Sequence, residues 1–163
     1  MVVYTNKIGL VHLSSWKEFE EAAPNFASFG AARFRSRIAY LATVRKDGSP
    51  RLHPVTPIIA EGHLLVFMEP TSPKGHDLRR DARYSLHSSV SDQTGQSGEF
   101  SIGGQSALVN DPSIRDTAIK VAGYIPSDPT YARYILFEFN IDHALTTVYK
   151  DDKPVRRRWQ PRT

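Results

Sequence analysis

The chain has 163 residues, 40% hydrophobic and 23% charged, which is ordinary usage for one globular domain large enough to enclose a core. It contains no cysteine, so disulfides, thiolate metal sites and a cysteine nucleophile are excluded. Its 21 basic and 17 acidic residues are interspersed, giving a net charge of +4; Arg156 to Arg158 is the only unbroken run of three basic residues, a pattern that favours anionic ligands without pointing to nucleic acid.

No stretch approaches the roughly 20 apolar residues that cross a bilayer, and the opening residues lack a basic region followed by an apolar run. A soluble cytoplasmic protein with no membrane partner is expected, as a single domain over 1–163. Residues 14 to 34 read as two short helices around Pro24. Ser14 or Ser15 caps the first, and Trp16, Phe19, Ala22 and Ala23 form its inner face. Phe26, Phe29 and Ala32 or Arg33 continue the spacing, so this segment is expected to brace a sheet.

From Ile38 to Val44 the residues favour a strand, which Asp47-Gly48 turns into a return strand over Pro50 to Ile59. Pro54 and Pro57 remove backbone donors that a central strand needs, so one side of the return strand should be unpaired, either as a sheet edge or facing a ligand. Arg51 and His53 share one face of it, opposite Leu52. Glu61-Gly62 then leads into a strand from Leu64 to Met68.

The run SPKGHDLRRDAR, Ser72 to Arg83, opens a helix: Ser72 at the cap and Pro73 at the first helical position are strong start signals. Lys74 and His76 then stand in a first turn that already presents positive partial charge, and Gly75 sacrifices about 0.8–1.0 kcal/mol of helix propensity. A phosphate on the amides of residues 74 to 76, beside the Lys74 ammonium and close to Gly75, would turn these defects into one binding site; the alternative is a basic solvated helix.

Tyr84 to Val90 reads as a half-buried strand, Ser91 to Gly98 as a flexible hairpin loop, and Phe100 to Val109 as a strand bulged at Gly103-Gly104. Asp111-Pro112 starts a helix with Ile114, Ala118, Val121 and Ala122 on one face, stopped by Gly123. Ile135 to Ile141 alternates as a strand, and Leu145 to Tyr149 with Val155 to Trp159 forms a last hairpin across Asp151-Asp152. About seven strands without regular strand-helix alternation indicate a small antiparallel barrel with attached helices.

The six histidines, at 12, 53, 63, 76, 87 and 143, lack metal-ligand spacing, and no serine sits in a GxSxG elbow, so neither a metal site nor a hydrolase is supported. The ordered series AYLATVRKDGSPRLHPV (Ala39 to Val55), Phe67-Met68, SPKGHDLRRDAR and GEFSIGGQSALVNDP (Gly98 to Pro112) resembles the pyridoxamine 5'-phosphate oxidase-like flavin-binding split barrels. The resemblance implies a six- or seven-stranded antiparallel split β-barrel that forms a homodimer, with FMN between the subunits. It implies that Arg51, Leu52, His53, Pro54, Val55 and Thr56 run beside the flavin ring. Phe67 and Met68 would flank the ring or ribityl chain, and Ser72, Lys74 and His76 would surround the phosphate. Glu99 would lie near the ring, and Arg158 and Trp159 would reach the partner subunit's site. The ending Arg158-Trp159-Gln160-Pro161 differs in spacing from that of the pyridoxamine oxidase itself.

A redox enzyme using FMN on a small molecule is therefore expected, with hydride chemistry supplied by the cofactor. The alternatives are a deazaflavin-dependent reductase, its anionic tail met by Arg33, Arg35 and Arg37, or a non-enzymatic flavin or haem binder with His53 or His87 as axial ligand.

Overall fold

The computed structural model describes residues 3–6, 9–35, 38–123 and 132–161. A hairpin of β1 (Val3–Asn6) and β2 (Gly9–His12) precedes α1 (Trp16–Ala22) and α2 (Pro24–Phe34). Ser15 caps α1 through a full capping box with Glu18, and Pro24 occupies the first turn of α2. Trp16, Phe19 and Phe34 are buried as expected, whereas Ala22 is exposed because α1 ends there and turns away from the sheet. The aromatic rings join the brace to the barrel: Phe34 lies 5.3 Å and Phe19 6.5 Å from Phe100, centroid to centroid.

The barrel strands are β3 (Ala39–Val44), β4 (Pro50–Val55), β5 (Ile58–Ala60), β6 (His63–Met68), β7 (Arg83–Ser88), β8 (Glu99–Leu108), β9 (Ile135–Lys150) and β10 (Lys153–Trp159). They form one antiparallel sheet of eight strands in the order β4-β3-β7-β8-β9-β6-β5, with β10 on β9. The two ends of that path, β4 and β5, are consecutive in sequence and joined only by Thr56 and Pro57. Two residues span about 7–10 Å at most, so the far edges of the sheet must lie side by side. No ladder joins them. The sheet thus closes covalently and remains open in hydrogen bonding, which is a split barrel.

Three expectations change in detail. The return strand breaks into β4 and β5 because Pro57 cannot extend the ladder. The strand at Ile135 and the one at Leu145 are a single strand of 16 residues, bent at the bulge between Gly103 and Gly104 of β8. The loop from Ser91 to Gly98 is tied by Asp92, whose carboxylate accepts from the amides of Thr94, Gln96 and Ser97 at 2.8–3.0 Å and is held well below the usual carboxylate range, first by the Ser97 and Thr94 hydroxyls and then by these amides.

Two further helices attach to the sheet, α3 (Pro73–Arg80) after β6 and α4 (Pro112–Ala122) after β8. On α4 the buried residues are Ala118 and Ile119, while Val121 is 54% exposed instead of sharing the inner face. The core falls into a large cluster around Phe34, Phe100 and Phe139 and a smaller one around Ile58, Leu65 and Leu136.

Candidate functional site

The strand β4 is a sheet edge, paired only with β3. Arg45 N–H donates to Ser49 O at 2.9 Å, and alternation along the ladder then turns the backbone groups of Arg51, His53 and Val55 toward β3. Those of Pro50, Leu52 and Pro54 face outward. The prolines therefore sit where their missing donors harm no pairing, and the free edge presents one N–H, that of Leu52, with carbonyl groups on either side. On this strand Pro57 plays no part; it belongs to the crossing.

The side chains of Arg51, His53 and Val55 point to the inner face and those of Leu52 and Pro54 outward, with Leu52 65% exposed. Arg51 meets α3. Its Nε donates to Asp77 Oδ2 at 2.6 Å; the same oxygen accepts from Thr43 Oγ1 at 2.9 Å, and Asp77 Oδ1 accepts from Arg80 Nη2 at 3.1 Å. Burial opposes ionisation of Asp77, but these three donors outweigh it and hold the carboxyl below its ordinary value. Asp77 thus clamps β3, β4 and α3 together. The sequence reading missed this residue, although a lone acid inside SPKGHDLRR, one turn after Lys74 and one before Arg80, is the signal that marks it.

At the start of α3, Ser72 caps as expected: its Oγ accepts from Gly75 N–H at 3.3 Å, and its carbonyl accepts from His76 N–H at 3.1 Å. Two of the three amides proposed as a phosphate cradle are therefore already paired. Gly75 also suits the cap, because a Cβ there would stand 3.0 Å from Ser72 Oγ and crowd it. What remains for an anion at this corner is side-chain charge. Lys74 is half-buried, forms no ion pair among the described residues, and is pushed below its ordinary pKa by desolvation. His53 is lowered first by its own burial and then by the nearby charges of Lys74 and Arg51, and its Nε2 is buried with no hydrogen-bond partner. His76 is exposed.

The remaining expected residues are distributed unevenly. Val55 and Met68 are buried, 6% and 2% exposed, so Met68 can meet a ligand only through its backbone. Phe67 is half-buried, with the Arg115 guanidinium 5.2 Å from its ring centre. Pro54 and Thr56 are exposed. Glu99 begins β8 opposite Thr147, while the end near α3 is marked by Gln105 opposite Arg83; the strand from Glu99 to Gln105 covers about 20 Å. Within one chain Glu99 is thus at the far end of the barrel from Lys74. Arg158 is exposed, and Trp159 packs on Phe19 of its own chain at 4.7 Å. Of the arginines ahead of β3, Arg33 stacks on Phe29 at 3.5 Å and donates to the carbonyls of Ser97 and Gly98, and Arg37 lies outside the described residues.

None of the four most pronounced cavities among the described residues is lined by Lys74 or His53. Among the described residues no group of three or more potential ligands could hold a metal, and no helix is long and apolar enough to cross a membrane.

Fold and site together define a split β-barrel with an unpaired edge strand beside a cationic helix start. The model of the pyridoxamine 5'-phosphate oxidase family matches residues 30–147, and the chain belongs to that family. Among solved structures it is similar to a haem-binding protein from Mycobacterium smegmatis, with 16% identity and a TM-score of 0.61 over 80% of this chain and 57% of that one. A NimC/NimA family protein from Clostridium acetobutylicum matches at 14% identity and a TM-score of 0.59, covering 88% of this chain and 94% of the other. PhzG from Burkholderia lata, in complex with tetrahydrophenazine-1-carboxylic acid, matches at 14% identity and 0.52, covering 90% and 93%. The chain thus spans little more than half of the first of these and most of the other two. No curated protein matches it.

Proposed function

We propose that this chain is an FMN-binding oxidoreductase whose cofactor phosphate lies at Lys74. The observation that carries the reading is a half-buried ammonium that has no counter-ion among the described residues, beside a buried imidazole nitrogen that has no partner among them. A phosphate dianion answers both: it offsets the desolvation of the Lys74 ammonium, accepts from a protonated His53, and takes a hydrogen bond from the Ser72 hydroxyl, whose oxygen is otherwise used as an acceptor. Arg51, held on one side by Asp77, keeps its remaining N–H groups for the same anion.

Beside that corner the outward N–H of Leu52 and the carbonyls of Pro50 and Pro54 match the mixed acceptors and donor along the edge of a flavin ring. When bound, the flavin supplies the hydride-accepting centre, and the chain supplies placement and field. The exposed apolar residues Tyr40 and Leu52 flank this edge, at 43% and 65% exposure, and a second copy of the chain seated there would cover the ring, making a homodimer with two shared sites. A small-molecule substrate would then reach the ring along this same edge. The deazaflavin alternative has less support, since Arg33 is engaged with the Ser97-Gly98 loop. Haem is a second reading, favoured by one observation, the unpartnered Nε2 of His53.

Visible spectra of the purified protein titrated with FMN and with haemin separate the two. Saturable flavin binding that fails in Lys74→Ala supports the proposal. A haem spectrum lost in His53→Ala, with no flavin uptake, replaces it.

A further inference from the structure

The largest of the four cavities, about 660 Å³, opens between the helical brace, the β4–β5 crossing and the end of α4. Its floor is apolar: Trp16 and Phe34 from the large core cluster, Ile58 and Ala122 from the small one, with Pro57 and Ile59 between. The gap exists because the chain crosses from β4 to β5 without ladder pairing, so no strand fills the seam between the two clusters. Two other cavities are lined with ionic and polar groups, among them Glu18, Glu21 and Glu138, and the fourth is a depression of about 250 Å³ on the outer sheet face. Of these four cavities among the described residues, the seam alone combines the size and wall chemistry of a small-molecule pocket.

Its rim selects further. Glu20 and Arg35 are its only charged lining residues, one of each sign, and neither forms an ion pair among the described residues. Both are exposed at the mouth, so a ligand charge carried down to the apolar floor would leave water without a partner there. The hydroxyl of Thr56 is the one neutral polar side chain at the lining, and it follows directly on the β4 edge placed beside the flavin. We infer that this seam binds an uncharged, mainly apolar ring compound carrying a single hydrogen-bonding group toward Thr56, and that such a compound is the substrate class; the latter step rests on the flavin reading above. Phosphorylated and carboxylated substrates are disfavoured by the same walls, which separates the pocket from the anion corner at Lys74.

The test uses the tryptophan already in the floor. In a Trp159→Phe chain, Trp16 is the only tryptophan, and its fluorescence is titrated with nitrobenzene as neutral probe, without added flavin. Saturable quenching is expected, displaced by benzamide and at least tenfold less well by benzoate or benzylammonium. Ala31→Phe, which fills the cavity, should abolish saturation while leaving FMN titration of the same chain unchanged; Val121→Trp in the Trp159→Phe, Trp16→Phe chain gives a rim reporter should Ala31→Phe fail to fold, and should show the same saturation. Quenching that is purely collisional, or equal binding of the charged isosteres, overturns the inference. Because the probe assay runs without flavin, a failure of FMN binding is read separately: it removes the flavin reading and leaves the pocket result standing.

Discussion

Lys74, His53 and Asp77 lie within one corner and do three different jobs. Replacing Lys74 by Ala should weaken FMN binding by about 1.5–3 kcal/mol, the scale of a charge-assisted hydrogen bond, with the thermal midpoint unchanged; isothermal titration and a melting curve read the two sides. His53 is depressed below its ordinary 6.5, so between its folded value and 6.5 the unfolded chain holds more protons than the folded one. Stability of the flavin-free protein should therefore fall as pH drops below about 6.5 and flatten once the folded value is passed, and His53→Gln should remove that slope in urea titrations at pH 5 to 7. Asp77 is 3% exposed and bonded to three elements, but the arginines it would leave behind are partly exposed and can be solvated, so Asp77→Ala should cost about 1–3 kcal/mol of folding stability. A loss under 1 kcal/mol would show that the clamp carries little weight.

At the level of elements, the brace and the last strand are bound into the barrel more tightly than their sequence suggests. Gly30 sits in mid-helix, where Ala would normally add about 0.8–1.0 kcal/mol. Here a Cβ would stand 2.4 Å from the Phe100 ring, so Gly30→Ala should instead lower stability by about 1–3 kcal/mol as α2 is pushed off the sheet. A raised melting temperature would mean that Phe100 repacks freely. Trp159 likewise ties β10 to α1 through Phe19, so removal of Arg156 to Thr163 is expected to strip core packing along with any ligand contact. Arg158→Ala, at an exposed position, is the cleaner probe of a role across subunits. Reduced turnover with an unaltered melting curve would assign it one.

For the whole molecule, the free edge and the apolar surface beside it are the main unsatisfied features. Pro54 pairs with Tyr40 and Leu52 with Ala42, so the exposed apolar side chains form one patch on the outside of β3 and β4. If a second copy covers this patch, Leu52→Asp should convert a dimer to a monomer in sedimentation velocity and lose flavin with it, whereas Lys74→Ala should lose flavin and stay dimeric. Leu52→Asp that remains dimeric would move the interface elsewhere.

The sequence alone determined most turns and caps, since Asp47-Gly48, Glu61-Gly62 and Ser72-Pro73 act over a few residues and their chemistry is local, and it narrowed the cap of α1 to Ser14 or Ser15, of which the structure uses Ser15. It also marked β4 as an edge, because prolines report missing donors directly. Hidden from it were the division of the return strand, the joining of the Ile135 and Leu145 segments into β9, and the far placement of Glu99 from Lys74. These depend on which strands become neighbours, a choice made by long-range burial and not by spacing. Asp77 shows the same limit at one residue: its acidity is written in the chain, but its role as a clamp exists only once β3, β4 and α3 meet around it. Tertiary packing likewise decided that Gly75 serves the Ser72 cap, because two helix amides find partners before any ligand arrives.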